Sequence, residues 1–456
     1  MQEQQYEFDL DYESAHVKEI LLQEDMEAFR ENFLSYPLYD QTQIYLSLEQ
    51  EDRIRMYHYL SPKEMSDMFE ILEEDVESIE VYLMEMNKQY AADMLADMYT
   101  DNAVDMLQQL PEEVIPTYLR LMDREQASQI RDIIDYDDET AGAIMTTEFI
   151  SLKANQTVRS AMALLKSKSS EAEMIYYLYI INNENQLVGV LSLRDLIMSH
   201  EDSMISDIMS DRVVTVNVDD DQEDVAHVAR DYDFLAMPVV DENNILLGII
   251  TVDDILDVMH EEATSDYSGL AAVDVDETTS NPFKAAGKRL PWLITLLFLG
   301  MGTSSLISNY EGLISEAAIL SVFVTLITGT AGNAGTQSLA VAVRKIGQPE
   351  SEKRNWMAML TQETMTGLIS GVVTGLAITL VVGIWQNNFI LGGIIGFSML
   401  SAITVANLAG SLIPILMDKI GFDPAVASGP FISTFSDLTS VLIYFNIAKY
   451  FIENVL

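Results

Sequence analysis

The sequence predicts a multidomain protein with an all-α N-terminal helical domain, an α+β pair of repeated units, a connecting helix and a five-helix α transmembrane domain. Three observations predict this fold class: apolar residues at helical spacing near the N-terminus, an internal repeat in the middle of the chain, and five long apolar blocks at the end. The predicted domains are residues 1–139 (helical), 140–202 and 203–260 (the two repeats), 261–290 (connecting helix) and 291–456 (transmembrane).

The first domain is predicted as a series of short amphipathic helices. Ser61-Pro62 and Leu110-Pro111 are typical of helix starts, because proline is tolerated in the first helical turn. Residues 91–95 (AADML) are echoed by residues 103–107 (AVDML). A stack of helical hairpins fits this echo, and an irregular helical domain fits the periodicity equally well.

A stronger repeat defines the two α+β units. Residues 144–152 (IMTTEFISL) recur as residues 208–216 (IMSDRVVTV). Each copy ends in an apolar run, an Asn- or Asp-rich turn, a second apolar run and an acid-rich helix, at 178–195 and at 237–254. Apolar runs separated by such turns predict β-hairpins, so each unit is expected to be α+β.

The connecting helix is predicted from the segment that follows the second repeat. Residues 255–266 have an acidic helical pattern, and a polar stretch at 274–281 leads to the basic cluster Lys284, Lys288 and Arg289. This arrangement suits a helix that transmits movement from the repeats to the membrane.

Five membrane spans are predicted at about 291–310, 315–341, 358–384, 390–416 and 424–448, each long enough to cross a roughly 30 Å hydrocarbon core. Basic residues flank alternate loops: Lys284, Lys288 and Arg289 precede the first span, Arg344, Lys345, Lys353 and Arg354 follow the second, and Lys419 follows the fourth. The positive-inside rule therefore predicts a multi-pass plasma-membrane protein with a cytosolic N-terminus and an external C-terminus.

The charge distribution separates the two halves of the chain. Residues 1–283 carry 16 basic and 63 acidic side chains, whereas residues 284–456 carry nine of each. Such a polyanionic half repels nucleic acid and anionic headgroups and attracts divalent cations that prefer oxygen ligands. A solvated acidic face explains many of the individual carboxylates equally well. Because the chain has no cysteine, disulfides, thiolate zinc sites and thiol nucleophiles are excluded.

A lone acid in the last apolar stretch points to ion conduction. Residues 364–417 contain no charged side chain, and the apolar stretch that follows carries a single acid at its centre, Asp437. A carboxylate at mid-membrane costs roughly 2.5–3.5 kcal/mol, so its presence indicates an ion pathway or a partner. Residues 328–338 (TGTAGNAGTQS) combine small residues with polar ones. Helix packing with polar contacts explains the glycines, whereas Asn333 is predicted to line a pore with Asp437.

The two repeats resemble a tandem pair of CBS domains. Both keep the Ile-Met start, a glycine after the turn and a Ser/Thr-x-x-Asp ending at Asp195 and Asp254. The resemblance implies an ATP site in which Asp195 holds ribose hydroxyls, together with Tyr177, Arg194 and Phe234. Helix caps at Ser192 and Thr251 with no ligand explain the same motif.

The whole chain resembles the MgtE family of magnesium channels. The resemblance is carried by residues 332–338 (GNAGTQS), 423–430 (DPAVASGP) and 437–440 (DLTS), and by the order of the domains. It implies a homodimer in the lipid membrane whose pore follows the two-fold axis, with Asp437 of each subunit holding hydrated Mg²⁺. One departure is Thr325, which stands where the family commonly has a proline.

The resemblance also implies cytosolic Mg²⁺ sites that close the channel. The matching positions are Asp97, Asp101, the Gly142 carbonyl, Asp221, Glu223, Asp233, Asp254, Asp257, Glu262 and Asp266. Bound Mg²⁺ would bridge these acidic faces, and their repulsion would separate the domains when it leaves. Glu363 also matches a family acid, although anchoring at the membrane surface explains it equally well.

Two other function classes, an enzyme and a sensor without transport, are alternatives to a transporter. An enzyme is not expected, because all five histidines precede residue 284 and the sequence has no Walker loop. A membrane-tethered sensor of nucleotide or divalent cation, without transport, has no use for an acid at mid-span.

Overall fold

The computed structural model describes residues 8–72, 79–273, 281–316, 318–347, 356–420, 422–424 and 427–455. The chain divides into two compact units, Met1–Met259 and His260–Leu456. The predicted fold class is confirmed: a helical domain and two α+β repeats precede five long apolar helices.

Among its described residues, the N-terminal domain is built from ten short helices. They are α1 Leu10–Leu22, α2 Met26–Phe33, α3 Leu38–Ser47, α4 Gln50–Tyr59, α5 Pro62–Phe69, α6 Ile79–Glu85, α7 Lys88–Asp97, α8 Thr100–Gln108, α9 Ile115–Leu121 and α10 Arg124–Ile134. The odd-numbered helices pack against one another in series from α1 to α9, which favours the stack over the irregular arrangement. The sequence echo in α7 and α8 places four apolar side chains of each helix in the core and leaves Asp93 and Asp105 outside.

One predicted helix start is confirmed and one is wrong. Ser61 and Glu64 form a reciprocal capping box at the start of α5, with Pro62 at the first helical position. After Pro111, in contrast, the chain forms a turn in which the Val114 N–H donates to the Pro111 carbonyl at 2.8 Å. Helix α9 therefore begins only at Ile115, because the turn comes first.

The two repeats have the same sheet topology. The first contains β1 Phe149–Lys153, α11 Val158–Lys168, β2 Met174–Ile181, β3 Leu187–Ser192 and α12 Leu193–Met198. The second contains α13 Ile205–Ile208, β4 Val216–Asn217, α14 Gln222–Tyr232, β5 Ala236–Val240, β6 Leu246–Thr251 and the start of α15, Val252–Ala271. In each sheet the first two strands are parallel and the last two antiparallel. Asn185 and Asn244 occupy matching turns at φ of 63° and 62°, a left-handed conformation that asparagine tolerates.

Helix α15 is the described part of the connecting segment. It runs without a break from the second repeat to Ala271, and residues 274–280 lie outside the described residues. The next helix, α16, starts at Pro282, so the basic cluster Lys284, Lys288 and Arg289 lies on the same helix as the first apolar span.

Five helices of the second unit are long and apolar enough to cross a membrane. They are α16 Pro282–Asn309, α18 Ile319–Ile346, α19 Trp356–Trp385, α20 Phe389–Lys419 and α21 Gly429–Val455, with the short α17 Glu311–Glu316 between the first two. Each contains most of one predicted span. The flanking residues Lys353 and Arg354 lie outside the described residues.

Glycines let the membrane helices approach closely. A Cβ built on Gly410 of α20 would lie 2.2 Å from the main-chain oxygen of Gly335 on α18. A Cβ on Gly375 of α19 would lie 2.6 Å from the oxygen of Gly396 on α20. These contacts bring three helices together backbone to backbone, as small residues allow in membranes.

Candidate functional site

Three carboxylates from distant parts of the sequence converge in the first unit. Asp101 lies in the first turn of α8, Glu173 directly precedes β2, and Asp254 lies in the first turn of α15. One oxygen from each lies within 4.8 Å of the other two. Asp101 is 3% exposed, and among the described residues Asp101 Oδ2 and Glu173 Oε2 have no hydrogen-bond partner. We call Asp101, Glu173 and Asp254 the acidic cluster.

Burial raises the pKa of all three groups, and the charge of Asp254 adds to the shift of Asp101 and Glu173. Burial, then the Asp254 charge, raise the pKa of Glu173 to about 8. Burial raises the pKa of Asp254 to about 6, although the hydrogen bonds from Thr251 act in the opposite direction and lower this pKa. The pKa of Asp101 is raised well above its ordinary range by burial and then by Asp254 and Glu173. The cluster therefore favours either bound protons or a divalent cation that neutralises the carboxylates.

We expect the protein without metal to lose thermal stability as the pH rises from about 5 to 8. A carboxyl group whose pKa is raised by folding holds more protons in the folded chain. Its contribution to the free energy of unfolding is complete at a pH below its pKa in the unfolded chain, near 4. That contribution is lost as the pH rises through its pKa in the folded chain, which is about 6 for Asp254 and about 8 for Glu173. Melting temperatures of the detergent-solubilised chain, with chelator and with Mg²⁺, measure this effect.

Saturating Mg²⁺ should remove most of that loss, because the bound cation compensates the ionised carboxylates. Asp101→Asn should weaken the pH dependence, whereas Asp211→Asn, which removes an exposed acid, should preserve it. A melting temperature that rises with pH in chelator would contradict the expectation.

A second group of predicted ligands lies around the start of α14. Asp221 caps this helix by accepting from the Glu223 N–H at 2.8 Å, and Thr140 pairs with Asp221 in an isolated β-bridge. Two residues further on, the Gly142 N–H donates to the Val218 carbonyl at 2.9 Å. The structure thus brings the Gly142 segment alongside Asp221 and Glu223.

Asp233 is separated from that group by the whole of α14. It is the C-terminal cap of the helix, in the left-handed conformation at φ of 55°. The 11 residues of α14 give it a length of roughly 16 Å at 1.5 Å per residue. Within one chain, Asp233 therefore does not share an ion with Asp221.

Asp97 lies beside the acidic cluster but is not part of it. It ends α7 and borders a cavity of about 260 Å³ whose lining includes Lys63, Thr100 and Glu148. Burial raises the pKa of Asp97, and the charge of Lys63 lowers it. The Lys63 ammonium also donates to the Asp97 main-chain oxygen at 3.0 Å.

The remaining predicted ligands follow Asp254 along α15. Asp257 is close enough to raise the pKa of Asp254, and Glu262 lies further along the helix. Burial raises the pKa of Asp266, and among charged groups Asp423 raises it while Arg344 lowers it. Asp266 therefore lies near the loop before α21 and the end of α18.

In the membrane helices, the glycine motif of α18 packs against α21. Cβ atoms built on Gly332 and Gly335 would lie 2.8 Å from Ser433 Oγ and 2.9 Å from Ser436 Oγ. Asp437 follows Ser436 and is half-buried, and Asn333 is exposed on α18. Among the described residues no hydrogen bond joins Asn333 to Asp437, although α18 and α21 pack against each other.

Glu363 is buried, which excludes the surface-anchoring interpretation. Its side chain is 5% exposed, and Ser338 Oγ lies 2.9 Å from Glu363 Oε2 and 2.8 Å from the main-chain oxygen of Asn407. This polar contact joins α18, α19 and α20. Sequence analysis missed the burial because the uncharged run begins only after Glu363.

The predicted nucleotide ligands lie in both repeats. Tyr177 pairs with Ser192 across β2 and β3, and the Ser192 hydroxyl donates to the Asp195 carboxylate at 2.7 Å. The adjoining Arg194 is in α12, whereas Phe234 follows α14 and stacks on Tyr232 with ring centroids 5.3 Å apart. Ser192 caps α12, as the interpretation of a helix cap without a ligand predicted. Tyr177, Arg194 and Asp195 also share one end of the first sheet.

Glu173 was not predicted, because its sequence surroundings resemble those of the other acids in this half of the chain. The residue before β2 is Glu173, whereas the residue before β5 in the second repeat is Leu235. These two residues are not equivalent, because strand pairing aligns Tyr177 with Ala236, so the repeat carries no signal for Glu173.

Family models match three regions of the chain. The family model for a divalent cation transporter, MgtE, matches residues 324–447, that for the MgtE intracellular N domain matches 36–139, and that for the CBS domain matches 141–201 and 205–261. The chain is 61% identical to the magnesium transporter MgtE of Enterococcus faecalis, over 98% of each chain. It is 37% identical to the magnesium transporter MgtE of Bacillus subtilis, over 91% of this chain and 92% of that protein.

Two solved structures resemble the N-terminal half. The soluble part of a magnesium transporter is 55% identical with a TM-score of 0.55, and covers 56% of this chain and 100% of its own. The cytosolic domain of the Mg²⁺ channel MgtE in complex with ATP is 31% identical with a TM-score of 0.50, and covers 54% of this chain and 99% of its own.

Proposed function

This chain belongs to the MgtE family of divalent cation transporters, and on that premise we propose that it imports Mg²⁺ across the plasma membrane and is closed by cytosolic Mg²⁺. The observation that carries the transport proposal is Asp437, a single acid in the N-terminal third of α21, where that helix packs on the glycine motif of α18. Relatives along almost the full length of the chain are magnesium transporters, which supports the choice of ion.

In the proposed pore, two subunits each contribute Asp437. Mg²⁺ loses its water reluctantly and prefers an octahedral shell with one or two carboxylates. Two Asp437 side chains facing each other across a dimer axis repel unless a cation lies between them. Asn333 would then supply a further oxygen to the hydrated ion.

The proposed sensor is the acidic cluster, with Asp97 and Asp257 as further acids and Glu262 further along α15. The group around Asp221 is proposed as a second site, with Glu223 and the Gly142 carbonyl. Asp233 is proposed to meet an acidic face of the other subunit, since it is too far from Asp221 in its own chain. A cation that binds the compact state more tightly than the separated state shifts the population towards the compact form.

Helix α15 provides a physical link from sensor to pore. One uninterrupted helix carries Asp254 in its first turn and Leu270 near its end. Leu270 packs in an apolar cluster with Leu339 of α18 and Ile432 of α21. Since a helix resists bending, movement at Asp254 is transmitted to the two helices that carry the pore residues.

The proposed orientation places the N-terminus in the cytosol and the C-terminus outside. The effects of Asp423 and Arg344 on the pKa of Asp266 support it, because they associate α15 with the loop before α21 and with the end of α18. The basic residues of the sequence mark the same loops as cytosolic.

We also propose that ATP binds the first repeat, through Asp195, Arg194 and Tyr177, with Phe234 nearby. The ATP complex of a 31% identical cytosolic domain supports this site. Calorimetric titration of the chain with ATP tests it, and absence of binding heat at millimolar ATP would contradict it.

Asp101→Asn is expected to weaken closure by Mg²⁺, because the cluster loses one anionic ligand while α8 keeps its shape. The measurement is Mg²⁺ uptake into liposomes that contain the protein and a Mg²⁺ indicator. Uptake by the wild type should stop at a lower Mg²⁺ concentration, on the side of the membrane that holds the acidic cluster, than uptake by Asp101→Asn. A shift of about tenfold is expected for loss of one ligand of the sensor. Asp211→Asn is the matched control, and equal closure of all three proteins would contradict the sensor assignment.

A further inference from the structure

Helix α8, which carries Asp101, receives its N-terminal cap from another domain. Its own N-cap residue, Tyr99, provides no side-chain cap. Instead Glu148, from the segment before β1, accepts from the Thr100 N–H at 3.1 Å and from the Thr100 hydroxyl at 2.6 Å. A carboxylate at a helix N-terminus is stabilised by the free N–H groups and by the helix dipole.

The Glu148 side chain is itself held from both sides. The Thr146 hydroxyl donates to Oε2 at 2.7 Å and the Thr147 hydroxyl to Oε1 at 3.1 Å. With the two donors from Thr100, four hydrogen bonds reach the two oxygens, which is the full capacity of a carboxylate. Both oxygens of Glu148 are therefore engaged by hydrogen-bond donors, as in a residue that holds its neighbours in place.

The main chain around Glu148 reaches the other two members of the acidic cluster. The Glu148 carbonyl accepts from the Glu173 N–H at 2.9 Å. Thr146 exchanges two hydrogen bonds with Ile249 of β6, at 2.8 and 3.0 Å. Strand β6 ends at Thr251, whose N–H and hydroxyl donate to the Asp254 carboxylate at 3.0 and 2.6 Å. A single short segment thus connects to Asp101, Glu173 and Asp254.

We propose that Glu148 is a positioning residue that fixes the three carboxylates of the acidic cluster at the spacing one divalent cation requires. This rests on the proposed Mg²⁺ sensor. Residues that orient metal ligands typically change metal affinity 10–100-fold when they are replaced. Holding Asp101 and Glu173 together before the ion arrives lowers the ordering cost of binding.

The test uses the full chain in detergent and follows the melting temperature as Mg²⁺ is titrated. Glu148→Gln should raise the half-saturating Mg²⁺ concentration at least about tenfold. Glu171→Gln is the matched control, because it removes the same charge from an exposed side chain of the adjoining segment, and it should resemble the wild type. Thr100→Val removes the hydroxyl donor with little change of shape and should also raise the half-saturating concentration.

A double-mutant cycle separates positioning from general stabilisation. If Glu148 acts through Thr100, the affinity losses of Glu148→Gln and Thr100→Val should be clearly less than additive in the double variant. If Glu148→Gln lowers the melting temperature but leaves the half-saturating Mg²⁺ concentration unchanged, Glu148 only stabilises the fold as a helix cap. That result would overturn the proposal.

Asp101→Asn distinguishes this proposal from the sensor itself. If Asp101→Asn weakens the Mg²⁺ response and Glu148→Gln does not, only the role of Glu148 is wrong. If neither variant changes the response, the Mg²⁺ sensor is wrong and the inference for Glu148 falls with it.

Discussion

Replacing Asp437 with alanine is expected to reduce Mg²⁺ uptake to the level of liposomes without protein. Asp437 is the single acid in the interior of α21, and its carboxylate is the proposed pore ligand for the hydrated ion. Without it, an ion leaving water meets no compensating charge at that level of the membrane. Uptake into liposomes containing a Mg²⁺ indicator measures the loss, and equal reconstitution is checked by the amount of inserted protein.

Two variants make this expectation specific. Asp437→Asn keeps the size and polarity of the side chain but removes its charge, so it should fail like alanine if the charge matters. Glu453→Gln removes an exposed charge at the far end of the same helix and should transport like the wild type. Undiminished uptake by Asp437→Ala would remove this residue from the pore.

Gly410→Ala should separate α20 from α18 and destabilise the membrane helices. The added Cβ would lie 2.2 Å from the Gly335 oxygen and 3.1 Å from Ser338 Cβ. The nearest of these atoms is backbone, so a rotamer change cannot relieve the overlap and a helix has to shift. Overpacking of this kind costs about 1–3 kcal/mol or more. A lower melting temperature in detergent and weaker transport are expected, since Gly335 belongs to the glycine motif of α18, the helix proposed to line the pore.

Gly393→Ala on the same helix is the matched control. No atom outside the helix backbone lies within 4 Å of a Cβ built there, among the described residues. Alanine is also the better helix former, by roughly 1 kcal/mol in a helix interior. Gly393→Ala should therefore melt at or above the wild-type temperature. Equal melting temperatures of Gly410→Ala and Gly393→Ala would show that the backbones of α18 and α20 are not in close contact at Gly410.

The sequence predicted the elements whose signals lie in neighbouring residues. The five spans appear as apolar runs because each helix must match the membrane thickness by its own composition. The two sheets appear as a repeated motif because each hairpin is specified by its own strands and turn. The helix start predicted at Leu110-Pro111 was wrong because a proline fits the first residue of a turn as well as the start of a helix.

The residues of the proposed sensor were predicted only in part. Asp101 and Asp254 came from the family resemblance, whereas Glu173 and Glu148 were found only in the structure. Neither glutamate differs in the sequence from the many solvated acids of this half. Their role depends on segments that fold back on one another, and residue spacing along the chain does not record such contacts.

By itself, the sequence determined the fold class, the number of membrane spans, the division of charge and the lone acid Asp437, because periodicity, length and composition are properties of local segments. The tertiary structure alone decided which acids are buried together, which of them are held by threonine hydroxyls, and which are separated by a helix, as Asp233 is from Asp221. The physical reason is that burial and electrostatic coupling arise between side chains that meet only after folding.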